Sequence, residues 1–288
     1  MSSTAQKWLL GCGIGCGVVV LLIALVIGGG VWFARGLKGR FDTAASRGTE
    51  LATRFGEPED WTPPADGVPP AARIEAFLAV RDSLVESRAR FAETFAAFAQ
   101  VKQGQGPRRF ADVLRAVRGG MSMAPLLGEF YGRRNSALNS VGMGMGEYAY
   151  IYALGYYDFL GRSPDAGPKH VRIDGQGDDE GDDDGDLRGR DIRPRLHRQL
   201  LAQLRNQLGA IAAEPASGAT AWRDTLAAEI ARLERDDRRL PWADGLPPAI
   251  AAAFAPHRDR FEATWNDASN LFELTGTRGS GHSLNIGN

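Results

Sequence analysis

Between Lys7 and Arg35 the chain carries no charged side chain for 27 residues, from Trp8 to Ala34. As a helix rising about 1.5 Å per residue, that run reaches roughly 40 Å. A bilayer's hydrocarbon core needs only ~30 Å, so the run reads as a single transmembrane helix over residues 8–34, tilted or ending among the headgroups. Residues 1–7 are then a short N-terminal tail. A cleavable signal peptide fits less well, since its apolar run is about half as long and ends in small residues. Here Gly28, Gly29 and Gly30 lead straight into Val31, Trp32 and Phe33. A lipid on Cys12 is also disfavoured, because only three apolar residues precede Gly11-Cys12 and the bulk of the run follows it.

Inside the span, Gly11 and Gly15 form one small-xxx-small pair and Gly13 and Gly17 another. Small residues four apart let helix backbones approach in lipid, so this face is the expected site of self-association. Trp8 at one end and Trp32 with Phe33 at the other suit interfacial anchors. Two arguments about orientation disagree. Lys7 stands against Arg35, Lys38 and Arg40, which by the positive-inside rule favours a cytoplasmic domain. N-terminal anchors more commonly export the large domain behind them, and long domains translocate with little regard for charge. The second argument is adopted: a single-pass protein of the cell membrane with an extracytoplasmic, periplasmic domain.

A net charge of −1 and a pI near 6.5 provide no bulk attraction to nucleic acid. The expected partners are the lipid bilayer and a protein, either a second copy of the chain or another species. Both cysteines, Cys12 and Cys16, fall inside the span. The rest of the chain therefore lacks disulfides, thiol nucleophiles and cysteine metal ligands.

Residues 35–69 read as a juxtamembrane helix with a thin apolar stripe, ended by Gly56, and then a spacer. Pro58, Pro63, Pro64, Pro69 and Pro70 remove backbone donors and favour extended chain. Such a segment is semi-rigid and would lift the domain off the bilayer. The domain itself is expected over 70–275. From Ile74, the residues Phe77, Leu78, Leu84, Val85, Phe91, Phe95 and Phe98 recur at helical spacing, predicting one long amphipathic helix. After Gly104 to Pro107, a shorter helix is expected around Phe110, Val113, Leu114 and Val117.

Met121 to Leu160 is the most apolar segment outside the span and predicts the centre of a bundle. Gly142, Gly144 and Gly146 each cost a helix interior about 1 kcal/mol relative to Ala, so the segment either bends there or is closely approached. Their GxGxG string is no phosphate loop, since no strand precedes it. Tyr148 to Leu160 is too short to be a second membrane span. Tyr148, Tyr152 and Tyr156 share a helical face, with Glu147 beside them, and form a candidate aromatic-lined pocket for a lipid or other hydrophobic ligand. Glu147 and Asp158 are the acidic groups between Val141 and Leu160. A carboxyl in such company, if buried, has a raised pKa of the kind that marks functional sites.

Residues 161–191 change character abruptly. Acidic side chains, Asp174 through Asp186, crowd among glycines, a composition that cannot bury apolar surface and predicts a disordered insertion. No register places Gly sixth after an acidic triplet, so a helix-loop-helix calcium site is not expected there. After it, Leu196, Leu200, Leu204 and Ile211 predict a helix ended by Pro215. Trp222, Leu226, Ile230 and Leu233 predict another, with the charged cluster from Glu234 to Arg239 outside it. Ile250, Phe254, Phe261, Trp265 and Phe272 complete the last apolar face, broken near Pro256, and residues 276–288 read as a frayed tail.

The result is an all-α protein: a transmembrane helix and then a bundle of about six helices with no substantial β-sheet. No regular repeat suggests a solenoid. His170, His197, His257 and His282 have no partner at the spacing that puts metal ligands on one helix face, and there is no HExxH or Glu-x-x-His motif. No metal, cofactor or catalytic residue is therefore assigned. Two functional readings stay open. One is a non-enzymatic envelope interaction or scaffold module, marked by a filled core with an exposed apolar patch. The other is a tethered bundle with a hydrophobic ligand among the tyrosines, marked by a deep cavity. An enzyme would require Glu147 or Asp158 to face a cleft beside a second titratable group.

Overall fold

The computed structural model describes residues 45–103, 126–167, 192–213 and 220–275. Among them every regular element is helical, as the hydrophobic periodicity requires. Helix α1 covers residues 45–55 and α4 residues 126–140. The others are α2 (Ala71–Ser83), α3 (Val85–Gln103), α5 (Met145–Tyr152), α6 (Arg193–Ala213) and α7 (Thr220–Leu233). Short helices α8 (Pro248–Phe254), α9 (Arg258–Thr264) and α10 (Asp267–Glu273) close the order. No described helix is long and apolar enough to cross a membrane. The expected span over 8–34, with Gly11, Gly13, Gly15 and Gly17, lies outside the described residues. So do residues 104–125, the acidic stretch 168–191 and the tail from 276.

The helices are shorter and more numerous than about six. The long helix expected from Ile74 divides at Leu84, whose backbone (φ −99°, ψ 2°) leaves the helical region. The break has a visible partner: Arg88 Nη1 donates at 2.6 Å to the Arg81 carbonyl, which also accepts from Leu84 N at 3.1 Å. It also turns Val85 outward, to 62% exposure, while Leu84 and Phe91 are fully buried. At the other end Pro256 interrupts the last face, so that a 3₁₀ turn over Ala255–His257 joins α8 to α9. Asn266 caps α10 by accepting from Ser269 N at 3.1 Å.

The core centres on Phe77 of α2, Phe261 of α9 and the tyrosines of α5, all buried. Phe77 stacks on Phe261 at 5.6 Å and meets Tyr148 at 5.0 Å. Full burial of side chains this large stabilises a fold by about 1.5–3 kcal/mol each.

The proline-rich stretch before α2 does not stand away from the domain. After a 3₁₀ turn at Pro58–Asp60, it runs along α6 as a strap. Prolines leave carbonyls with no helical donor, and amide side chains of α6 supply the hydrogens. Gln203 Nε2 donates to Pro58 O at 2.7 Å, Asn206 Nδ2 to Glu59 O at 2.9 Å, and Gln207 Nε2 to Pro64 O at 2.5 Å. Tyr150 holds Gly67 O at 2.9 Å from below. Helix α1 is docked as well: Leu51 is buried, and Arg47 Nη1 reaches Gly132 O of α4 at 3.0 Å. Packing among the described residues thus includes α1 and the strap, ahead of residue 70.

The three glycines of the central segment show both expected effects. Gly142, at φ +62°, turns the chain between α4 and α5. Gly146 is approached so closely that a Cβ there would lie 2.6 Å from Pro58 O and from Trp61 Cβ.

Candidate functional site

Two regions of opposite character gather buried acidic and aromatic residues among those described: a bonded polar core and an incompletely satisfied cleft. In the core, Arg81 and Glu273 face each other with no solvent exposure and form an ion pair. Arg81 Nη2 donates to Thr264 O at 2.7 Å and its Nε to Tyr156 Oη at 3.0 Å. Glu273 also accepts from Tyr148 at 2.9 Å and from Ser269 Oγ at 3.1 Å. Burial alone would raise the Glu273 pKa, but Arg81 and Arg88 outweigh it and hold the carboxyl below its ordinary value. Arg134, also buried, spends its Nη1 on the carbonyls of Phe272, Glu273 and Thr275, fixing the end of α10.

The candidate pocket residues sit within this core. Tyr148, Tyr152 and Tyr156 are fully buried. Tyr152 lies 4.6 Å from Tyr156 and 6.1 Å from Tyr148, ring centre to ring centre. Their hydroxyls are engaged by Glu273, Asn270 Oδ1 at 3.0 Å and Thr264 Oγ1 at 2.7 Å. Side chains fill the space between them. Glu147 lies elsewhere, near the surface, forked onto Arg73 through two 2.6 Å hydrogen bonds. The structure therefore groups the three tyrosines and separates Glu147 from them. Among the described residues Val85 is the large hydrophobic side chain left exposed, so no broad apolar patch accompanies the filled core.

Asp158 leads to the second region. Helix α5 continues as a π-helix over Ala153–Phe159, in which Leu160 N reaches back five residues to Gly155 O at 3.2 Å. The wider turn keeps the consecutive Tyr156 and Tyr157 both in the core, and Gly155 permits it: a Cβ there would fall 2.3 Å from Phe261 Cε1. Segments of this kind are uncommon and concentrate at functional sites. The π-helix delivers Asp158 to the wall of an open cleft of about 620 Å³. The loop through Arg162, the start of α6 at Arg193, and the loop from Asp236 to Gly245 complete it.

That second loop is held in an unusual shape. Trp242 has φ +59°, the one non-glycine positive φ among the described residues, a conformation that a bulky side chain adopts only under constraint. Its N–H donates to Glu229 Oε1 at 2.9 Å, and its ring lies buried against Trp222 at 5.6 Å. His197 Nδ1 lies 2.7 Å from Arg239 O and pins the same loop.

Three buried polar atoms of the cleft residues have no hydrogen-bond partner among the described residues: Asp158 Oδ2, Trp242 Nε1 and Arg239 Nε. Arg239 Nε forms an ion pair with Glu229 Oε1 at 3.6 Å, beyond hydrogen-bond reach. Burial raises the Asp158 carboxyl well above its ordinary pKa, Glu229 adds to the rise, and Arg239 opposes it. Burial thus favours the protonated form of Asp158, in which the carboxyl can donate. Of the carboxylates around it, Asp244 takes both Nη atoms of Arg239 at 3.3 and 2.7 Å, Asp165 takes Arg193 at 2.9 Å, and the exposed Asp236 accepts from Arg238 N at 3.0 Å.

Sequence reasoning pointed at Asp158 but not at Trp242 or at Arg239, which stood in a charged run read as outer surface. A tryptophan between Pro241 and Ala243, following an arginine pair, was the available signal. Among the described residues no cluster of His, Cys, Asp and Glu is arranged to hold a metal. No protein-family model, no curated protein and no solved structure matches the chain.

Proposed function

We propose that this chain is a single-pass, membrane-anchored helical binding module of a bacterial envelope, without catalytic activity, whose working site is the cleft between Asp158, Arg162, Arg193 and the Trp242 loop. The span over residues 8–34 fixes it to the bilayer, with the domain on the extracytoplasmic side. Since α1, from residue 45, is docked on the domain, at most about 35 Å of extended chain separates span and domain. The cleft would then work close to the lipid surface.

The observation that supports this reading is the concentration of irregularity in one place. A π-helix, a left-handed tryptophan and three of the nine unsatisfied buried side-chain atoms among the described residues meet at the cleft, whereas the buried tyrosine hydroxyls beside it are all bonded. Binding is favoured over catalysis by the state of the carboxylates. Burial favours the protonated form of Asp158, Asp244 is occupied by Arg239, and Asp236 Oδ1 accepts from Arg238 N at 3.0 Å, an arrangement that supports binding over general-base catalysis.

Native mass spectrometry on full-length protein released from membranes in mild detergent tests the reading. The wild type is expected to carry a bound species that Arg162→Glu loses and that Arg90→Ala, on the far-off α3, retains. Release of the wild type as a bare monomer, or identical cargo on Arg162→Glu, overturns it.

A further inference from the structure

We infer that the cleft takes a phosphate-bearing ligand, an inference that rests on the binding reading above. Three observations carry it. First, two of the three unsatisfied groups, Trp242 Nε1 and Arg239 Nε, are donors, and the third, Asp158 Oδ2, belongs to a carboxyl whose burial favours its protonated form. Stranded donors beside arginines call for a ligand rich in acceptor oxygens; an apolar molecule would leave them unpaired, and a cation would meet arginine.

Second, the arginines come from three separate elements: Arg162 after the π-helix, Arg193 at the start of α6, and Arg239 after α7. A planar carboxylate is satisfied by a single guanidinium fork, whereas a tetrahedral phosphate directs oxygens toward several at once.

Third, the cleft already shows how it holds an oxyanion. Asp244, its side chain 71% exposed, presents both oxygens to the two Nη atoms of Arg239. This carboxylate occupies the position of a ligand oxygen pair, and its exposure lets it swing away when a stronger oxyanion arrives. Asp244 is thus an internal competitor, and its removal tightens binding where loss of a merely structural residue would weaken it.

The test uses the full chain in phosphatidylcholine nanodiscs, titrated calorimetrically with glycerol 3-phosphate. Binding is expected in the wild type, weakened about tenfold or more by Arg162→Ala and tightened severalfold by Asp244→Ala, with Trp242→Phe weakening it at unchanged fold by circular dichroism. Repeating the titration in phosphatidylglycerol nanodiscs identifies the source. Loss of the signal assigns the site to a lipid headgroup, and an unchanged signal assigns it to a soluble phosphate ester; both support the inference. No binding in phosphatidylcholine, or affinity unmoved by Asp244→Ala and Arg162→Ala, overturns it. If mass spectrometry still finds a cleft-dependent cargo that lacks phosphate, the inference fails while the binding reading stands.

Discussion

Arg81 of α2 and Glu273 of α10 form an ion pair from which solvent is wholly excluded, tying the first helix of the tyrosine core to the last. Removing one partner of such a pair leaves a buried charge uncompensated, at a cost of about 3–5 kcal/mol. Glu273→Gln preserves shape but strands Arg81 and Arg88, and is expected to lower the unfolding free energy by that amount in urea titrations. Glu262→Gln, which breaks an exposed pair with Arg258 at 3.5 Å, is expected to change it by under about 0.5 kcal/mol.

The same pair sets an acid limit. Because the Glu273 carboxyl titrates lower in the folded chain than in the unfolded one, the folded state binds fewer protons as pH drops. Its contribution is complete above the unfolded glutamate value of about 4.3 and is lost as pH falls through the lower folded value. Urea midpoints of wild type and Glu273→Gln should therefore converge on acidification below about pH 4. A gap that stays constant down to pH 2 would show that Glu273 acts through shape alone.

Glycine substitutions separate close approach from helix propensity. Gly146→Ala drives a methyl against the backbone oxygen of Pro58, which has no rotamer to yield, and should cost about 1–3 kcal/mol. Gly209, on the exposed side of α6, has nothing within 4 Å of the place an added methyl would take, so Gly209→Ala should stabilise by about 0.5–1 kcal/mol. Thermal melts of the two variants should move in opposite directions.

Much of this architecture was legible because apolar spacing records which face of a helix is buried. Leu226, Ile230 and Leu233 lie on one face of α7 and are buried, as their spacing required. What periodicity does not record is a polar residue turned inward. Arg81 falls on the buried face of α2, yet its charge argued for solvent; only Glu273, far along the chain, makes its burial tolerable. The break at Leu84 was hidden for the same reason, since it depends on Arg88 reaching the Arg81 carbonyl. The strap was misread because prolines suggest a free spacer unless the amides facing them are known. The cleft depends on an unusual turn and an unusual φ, and neither has a residue signature.

The strap gives a prediction of its own. Gln203 satisfies the Pro58 carbonyl, and Gln207 the Pro64 carbonyl, which also accepts from Gly67 N at 2.8 Å. Losing such a bond costs about 1–3 kcal/mol, enough to open a segment with no helix of its own. Gln203→Ala with Gln207→Ala should expose Trp61 to chymotrypsin under conditions in which the wild type resists, while far-ultraviolet circular dichroism stays unchanged. Equal cleavage rates would mean the strap is held by packing of Trp61 against Tyr150, whose rings lie 5.2 Å apart.

Asp158 reverses the sign found for Glu273. Its folded carboxyl titrates well above an unfolded aspartate. Between about pH 4 and that higher value, the folded state therefore keeps a proton the unfolded state has released. The contribution is fully present below about pH 4, and stability then declines by up to about 1.4 kcal/mol per pH unit through the window. Asp158→Asn supplies a neutral side chain of the same shape and removes the titration. It should match the wild type near pH 4 and exceed it in urea midpoint at pH 7–8. A variant less stable at every pH would mean that Asp158 is ionised in the folded chain and paired with Arg239, which would also remove its donor from the cleft.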